Sequence, residues 1–307
     1  MKKLLYPFIL LLVLIISACS NETSGKEESS PKKEEQIKTI TYQSENGPIE
    51  VPSNPKRVIL LSGFTGNVID LGVNIVGVDV WSKNNPTFKE ELKDVAEVSD
   101  ENLEKIIELE PDLIIGLSNI KNLDKLKEIA PTVTYTWGKA DYLNQHIEIG
   151  KLLNKEKEAQ AWVDDFKTRA KTAGDEIRSK IGEDATVSVL EAYDKDLYVF
   201  GNNWARGTEI LYQAMNLKMP DKVKEMALKS GYYAISAEVL PEYAGDYVIL
   251  SKYADADHSF QETETYKNIP AVKNNRVFEM NGNGASFSDP VTLDKQLDFF
   301  KKSFLGN

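Results

Sequence analysis

Residues 155–181 form one charged stretch without proline, in which apolar side chains recur at Ala159, Trp162, Val163, Phe166, Ala170, Ala173 and Ile177. Steps of three and four put those positions on one face of a single helix. At 1.5 Å per residue the helix would run about 37 Å. A helix of that length need not belong to one sheet and is expected to bridge two lobes. Ahead of it, apolar runs at Arg57–Leu61, Ile75–Val78, Asp112–Leu117 and Val133–Tyr135 alternate with helical patterns at Asn67–Leu71 and Leu123–Ile129. Behind it the strand patterns resume at Thr186–Leu190, Leu197–Phe200, Tyr247–Leu250 and Arg276–Phe278. Such alternation implies mostly parallel sheets covered on both faces. The expected fold class is therefore α/β, with two similar lobes joined by one long helix. The boundaries are an N-terminal lobe over 39–153, a connecting helix over 154–182 and a C-terminal lobe over 183–307. Two short strand patterns, Ile40–Tyr42 and Ile49–Pro52, open the first lobe around a Gly47-Pro48 turn.

An internal echo agrees with two related lobes. Glu104 stands eight residues before Asp112-Leu113-Ile114-Ile115, and Glu238 eight residues before Asp246-Tyr247-Val248-Ile249. Each glutamate is expected in the first turns of a helix feeding a strand, once on each side of the connecting helix.

The beginning of the chain reads as a secretory signal over residues 1–18. A basic start, Met1-Lys2-Lys3, leads into an apolar run from Leu4 to Ile16 and then Ser17-Ala18. The run falls short of the roughly 20 apolar residues a spanning helix needs. Cys19, the single cysteine, follows at once, so an intrachain disulfide is excluded. Residues 20–38 are rich in Ser, Glu, Lys, Asn and Gly and carry no aromatic residue, as expected of a flexible tether. Removing residues 1–18 takes the formal charge of −11 two units further negative. That balance argues against nucleic acid and against electrostatic adhesion to anionic lipid. No GxGxxG follows any strand pattern, so dinucleotide binding has no support. The two histidines, His146 and His258, stand in no metal-spaced cluster and read as surface imidazoles rather than metal ligands.

The ending Ile16-Ser17-Ala18-Cys19 resembles the lipobox of bacterial lipoproteins, which implies an acylated Cys19 as the mature N-terminus. Asn54-Pro55-Lys56-Arg57-Val58, Glu110-Pro111-Asp112-Leu113-Ile114-Ile115, Ile129-Ala130-Pro131-Thr132-Val133 and Tyr243-Ala244-Gly245-Asp246-Tyr247 follow in order. With Leu197-Tyr198-Val199-Phe200-Gly201-Asn202-Asn203-Trp204-Ala205-Arg206-Gly207, they resemble the substrate-binding lipoproteins of bacterial iron–siderophore ABC importers, most closely the iron-hydroxamate branch. The resemblance spans about residues 39–304. It implies a monomer anchored by lipid alone on the extracellular face of a cell membrane, as in Gram-positive lipoproteins. It also implies a non-catalytic role: capture of a ferric hydroxamate siderophore between the lobes and delivery to an ABC permease and its ATPase. A helical connector implies modest closure on the ligand.

A hydroxamate siderophore already fills the coordination sphere of ferric iron, so the resemblance implies no metal ligand and no cofactor of the protein's own. The complementary site is an aromatic cleft with a few polar donors. Trp204 and Arg206 on one loop fit that chemistry, the guanidinium donating to iron-bound oxygens. Tyr198 and Trp137 resemble pocket positions of the family, and Trp81 is a further candidate. Relatives often carry two or more aromatics before Asp289-Pro290, whereas Gly284–Ser288 here supplies only Phe287. Glu104 and Glu238 would engage arginines on the two permease subunits; otherwise they offset helix dipoles. The same fold could instead hold a catecholate complex or haem. A lipid-anchored hydrolase using Ser62 or Ser286 is a different-class alternative, but neither serine lies in a G-x-S-x-G elbow.

Overall fold

The 155–181 periodicity folds as one helix, Glu156–Ile181, of 26 residues in the computed structural model, which describes residues 38–194 and 196–306. The signal segment, Cys19 and residues 20–37 of the tether lie outside the described residues. Ala159, near the start of the helix, belongs to the N-terminal core. Phe166, Ala170, Ala173 and Ile177, further along the same face, belong to the C-terminal core. The helix thus passes from one core into the other. A buried phenylalanine such as Phe166 contributes about 1.5–3 kcal/mol. Gly182, with φ of +104°, ends it.

Ahead of the helix, a small antiparallel hairpin of β1 (Thr39–Ser44) and β2 (Gly47–Pro52) precedes a five-stranded sheet. That sheet comprises β3 (Val58–Leu60), β4 (Ile75–Val78), β5 (Ala96–Glu97), β6 (Leu113–Leu117) and β7 (Thr132–Tyr135). Its order is β5-β4-β3-β6-β7, and every pair is parallel. Val58–Leu60 and Leu113–Ile115 are buried on both faces, which explains their unbroken apolar runs.

Behind the helix lie β8 (Val187–Tyr193), β9 (Asp196–Phe200), β10 (Tyr232–Ile235), β11 (Tyr247–Lys252) and β12 (Val277–Asn281). Their order is β10-β9-β8-β11-β12. Strands β8, β11 and β12 are parallel, but β9 runs antiparallel to β8, and β10 antiparallel to β9. The fold is two α/β lobes joined by a long helix.

The echo at Asp112 and Asp246 has a physical basis. Asp112 accepts hydrogen bonds from the Lys56 and Arg57 N–H groups (2.6 and 2.9 Å), pinning the start of β3 beside β6. Asp246 accepts from the Thr186 N–H and hydroxyl (2.8 and 2.9 Å), pinning β8 beside β11. Glu104 does sit in the first turn of a helix, Leu103–Glu108. Glu238 departs from the expected placement: it lies in a turn ahead of the four-residue helix Leu240–Tyr243. It therefore cannot serve as a first-turn dipole partner there. A hydrogen bond from Ser236 holds its carboxyl below the usual range.

A second element ties the lobes together. The C-terminal helix Pro290–Leu305 packs Leu293, Leu297, Phe300 and Phe304 into the C-terminal core, while Val291 leans on the N-terminal one. Its N-cap, Asp289, is buried against Gly66 of the helix Thr65–Asp70, where a Cβ would collide with the carboxylate. Burial pushes the Asp289 carboxyl up to about 6, although the hydrogen bonds it accepts from the Thr292 N–H and hydroxyl (3.0 and 2.9 Å) pull the other way.

The structure corrects the reading of the histidines as surface groups. His146 is fully buried on the helix Tyr142–Leu152, with Nδ1 3.1 Å from Asn67 Oδ1 and Nε2 3.2 Å from Asp70 Oδ2. Its ring packs edge-on to Trp162 of the connecting helix. The residue falls on the helix face shared with Ile149, Gly150 and Leu152, which faces the interior. His258 is half-buried, with Nε2 2.8 Å from the Tyr253 carbonyl.

Candidate functional site

Between the lobes lies a cleft of about 920 Å³ that is lined by all six residues singled out in the sequence as ligand contacts. The N-terminal lobe contributes the segments that follow its parallel strands, the usual location of ligand sites in open α/β sheets. Asp79 follows β4 and caps the short helix Val80–Lys83 by accepting from the Trp81 and Ser82 N–H groups (2.9 and 3.0 Å). That cap leaves the Trp81 ring 55% exposed at the cleft. Trp137 follows β7 and is 65% exposed.

The C-terminal lobe contributes a sheet face. In the β8–β9 hairpin, Glu191 pairs with Tyr198, and β10 sets Tyr232 opposite Phe200. Side chains alternate along a strand, so Glu191, Tyr193, Tyr198, Phe200 and Tyr232 share one face, and all line the cleft. Trp204, on the loop after β9, lies 5.0 Å from the Tyr232 ring and 6.3 Å, edge-on, from Trp137 of the opposite lobe. Gly231 makes room for it: with φ of +87°, a Cβ there would stand 2.4 Å from the indole. The Tyr198 hydroxyl donates to Asp196 (3.3 Å), and burial, then that carboxylate, raises its pKa.

Arg206 sits at the centre of a strained turn. Ala205, Arg206 and Gly207 all have positive φ, of 56°, 55° and 79°. Side chains take such values at a cost, here met by fixed partners. The Arg206 N–H donates to the Ala285 carbonyl (2.8 Å), and the Ala205 N–H to buried Glu209 (3.1 Å). Burial raises the Glu209 pKa, partly offset by bonds from Ala205 and Thr208.

The guanidinium itself does not project freely into the cleft. Its Nε and Nη2 donate to the two oxygens of Glu191 (2.8 and 2.9 Å), and Nη1 to the Trp204 carbonyl (3.3 Å). Glu191 is 3% exposed and also accepts from the Ser251 hydroxyl (2.8 Å). Burial alone would lower the arginine pKa, but the bonds and charge of Glu191 outweigh it and keep the group charged. The guanidinium lies over the Phe200 ring at 5.0 Å. An arginine has five N–H groups, so two remain for another acceptor.

Phe287 is half-buried, 5.9 Å from Phe88 of the N-terminal core, and forms part of the wall with Ser286 and Ser288. Glu104 and Glu238 are exposed and are not among the cleft residues. Sequence reasoning missed Tyr193, Tyr232, Tyr253 and Glu191. For Glu191 a signal existed: it is the one charged side chain within the apolar strand Val187–Tyr193. Ser62 and Ser286 are engaged structurally: Ser62 Oγ accepts from the Leu117 N–H (3.0 Å), and Ser286 Oγ donates to the Gly282 carbonyl (2.7 Å). Among the described residues, no cluster of His, Cys, Asp or Glu is arranged to hold a metal ion, and no helix is long and apolar enough to cross a membrane.

Comparison with known proteins agrees with this architecture. The family model described as periplasmic binding protein (Peripla_BP_2) matches residues 59–283. The iron(3+)-hydroxamate-binding protein YxeB of Bacillus subtilis is 36% identical over 97% of this chain and 95% of its own length. The iron(3+)-hydroxamate-binding protein FhuD of the same organism is 35% identical, over 96% and 95%. The structure of FhuD2 from Staphylococcus aureus with bound ferrioxamine B superposes with a TM-score of 0.78 at 33% identity, covering 82% of this chain and 99% of that one. Proteins of this family bind solutes rather than catalyse reactions. The chain belongs to the periplasmic-binding-protein family, within its branch of iron-hydroxamate ABC-transporter substrate-binding proteins.

Proposed function

We propose that the cleft captures a ferric hydroxamate siderophore and that the protein delivers it to an ABC permease for iron uptake. The observation that carries this reading is the pairing of aromatic rings from both lobes, Trp137 and Trp204, above a wall holding one arginine. Such a surface fits a chelate with an apolar body and outward-facing oxygens. Trp81, Trp137, Tyr198, Trp204 and Phe287 supply ring faces, and the two spare N–H groups of Arg206 donate to iron-bound oxygens. The chelator holds the iron, so the protein needs no ligand of its own. The neighbours named for hydroxamate binding, and the one solved with ferrioxamine B, support the same class.

Delivery follows from the outer surface. Glu104 and Glu238, exposed on separate lobes, would give two-point registration on the permease, with Cys19 carrying the lipid that keeps the protein on the extracellular face of the membrane. Tryptophan fluorescence titrated with ferric trihydroxamates, a ferric tris-catecholate and haem tests the cargo. Quenching that saturates with the trihydroxamates first is expected; tighter binding of the catecholate or of haem would replace this reading. Reversing the charge of Glu104 and Glu238 together should abolish uptake while leaving that titration unchanged.

A further inference from the structure

The charged side chains lining the cleft are Asp79, Asp141, Glu191, Arg206 and Glu209, four carboxyls and a single guanidinium among the described residues. Arg206 is already matched by a buried carboxylate held in two-point contact at 2.8 and 2.9 Å. Asp79 and Asp141 each cap a helix by accepting from backbone N–H groups, and neither has a cationic partner among the described ion pairs. Lys139, next to the rim, is turned to Glu45 at 3.4 Å. The wall therefore offers hydrogen-bond donors without net positive charge.

We infer that Glu191 sets the charge selectivity of the site: by neutralising Arg206 in place, it restricts the cleft to ferric chelates of zero or positive net charge. This inference rests on the reading of the cleft as a ferric-chelate site. Three hydroxamates, each with one negative charge, cancel the three positive charges of ferric iron, whereas each catecholate brings two. A catecholate complex would place its excess charge against Asp79, Asp141 and the Glu191–Arg206 pair, with no unpaired described cation to receive it. Glu191 is a positioning residue as well, because its two oxygens and the Ser251 bond fix the plane of the guanidinium and thereby the direction of its two spare donors.

The test is a series of ferric chelates on one tripodal scaffold, in which catecholate arms replace hydroxamate arms one at a time, stepping the charge from neutral to three negative. Affinities are measured by fluorescence quenching for the wild-type protein, Glu191→Gln and Asp141→Asn. Wild-type binding should weaken about tenfold for each added negative charge. Glu191→Gln should flatten that slope to about threefold per charge or less, since it leaves the Arg206 guanidinium without its matching carboxylate. A merely structural role would weaken all members alike and keep the slope. Asp141→Asn removes a charge at the rim, keeps an N-capping side chain, and should reduce the slope to an intermediate value even if Glu191→Gln fails to fold. A wild-type protein that binds all members equally overturns the inference while leaving the cleft a ferric-chelate site. A protein that binds none of them overturns the proposed function itself. An unchanged slope in Glu191→Gln defeats the role assigned to Glu191, and an unchanged slope in Asp141→Asn defeats the charge argument for the cleft.

Discussion

The N-terminal lobe reaches the cleft with the segments that follow its parallel strands, whereas the C-terminal lobe reaches it with the face of an antiparallel hairpin. Trp81 and Trp137 project from short segments and are more than half exposed. Glu191, Tyr198 and Phe200 are held by strand pairing, and Arg206 is braced by Glu191, Trp204 and Ala285. Reversing the direction of one strand, β9, thus turns one lobe's contribution from exposed side chains on short segments into a face held by strand pairing. The braced part of the cleft is therefore on the C-terminal side and its exposed rings on the N-terminal side.

The sharpest way to break this contrast is to cut the brace on the C-terminal side. Glu191→Ala leaves the Arg206 guanidinium buried without its counter-charge and should cost about 3–5 kcal/mol in urea unfolding. Trp81→Ala, on the opposite wall, should stay within about 0.5 kcal/mol of wild type. Equal effects would erase the distinction between the two walls.

The seam between the lobes should respond to acid. With the folded pKa of Asp289 near 6, above its ordinary value, the group stabilises the protein at low pH and loses that contribution as pH rises through 6. Relative to Asp289→Asn, wild type should gain up to about 3 kcal/mol between pH 7 and pH 4. Unfolding midpoints for both proteins across that range check the sign; a constant difference would contradict it.

Two smaller effects refine the comparison. Gly231→Ala forces a strained backbone and drives a methyl group into the Trp204 ring, so it should cost about 2 kcal/mol of stability and weaken ligand binding as well. Trp204→Ala should weaken binding of a ferric trihydroxamate by about 2 kcal/mol, and Trp137→Ala by about half as much, because only the former is backed by Tyr232 and the sheet. The reverse order, read by isothermal titration, would move the main contact surface to the N-terminal lobe.

Much of the scaffold was legible in the residues. The connecting helix announced itself through apolar steps of three and four, and β3, β6, β8 and β11 through runs too apolar for a half-exposed strand. Strand direction was legible only in the spacing: the six residues between Leu190 and Leu197 are too few for a crossover to a parallel neighbour and fit a hairpin. Tyr232–Ile235 passed unnoticed because its side chains are mostly exposed and show no alternation of apolar and polar types. The aromatic–arginine loop stood out by composition, while Tyr193, Tyr232 and Glu191 joined the site only through cross-strand pairing. His146 was misjudged because its partners, Asn67, Asp70 and Trp162, come from two other helices.

On the function proposed above, iron arrives already wrapped and the protein touches only the wrapper. Chromium(III) forms the same trihydroxamate complexes but exchanges its ligands far too slowly for any side chain to enter the coordination sphere. Titrating the protein in parallel with the chromic and ferric forms of one trihydroxamate separates contact with the chelator from contact with the metal. Equal affinities are predicted; binding of the ferric complex alone would show that the protein bonds to the metal.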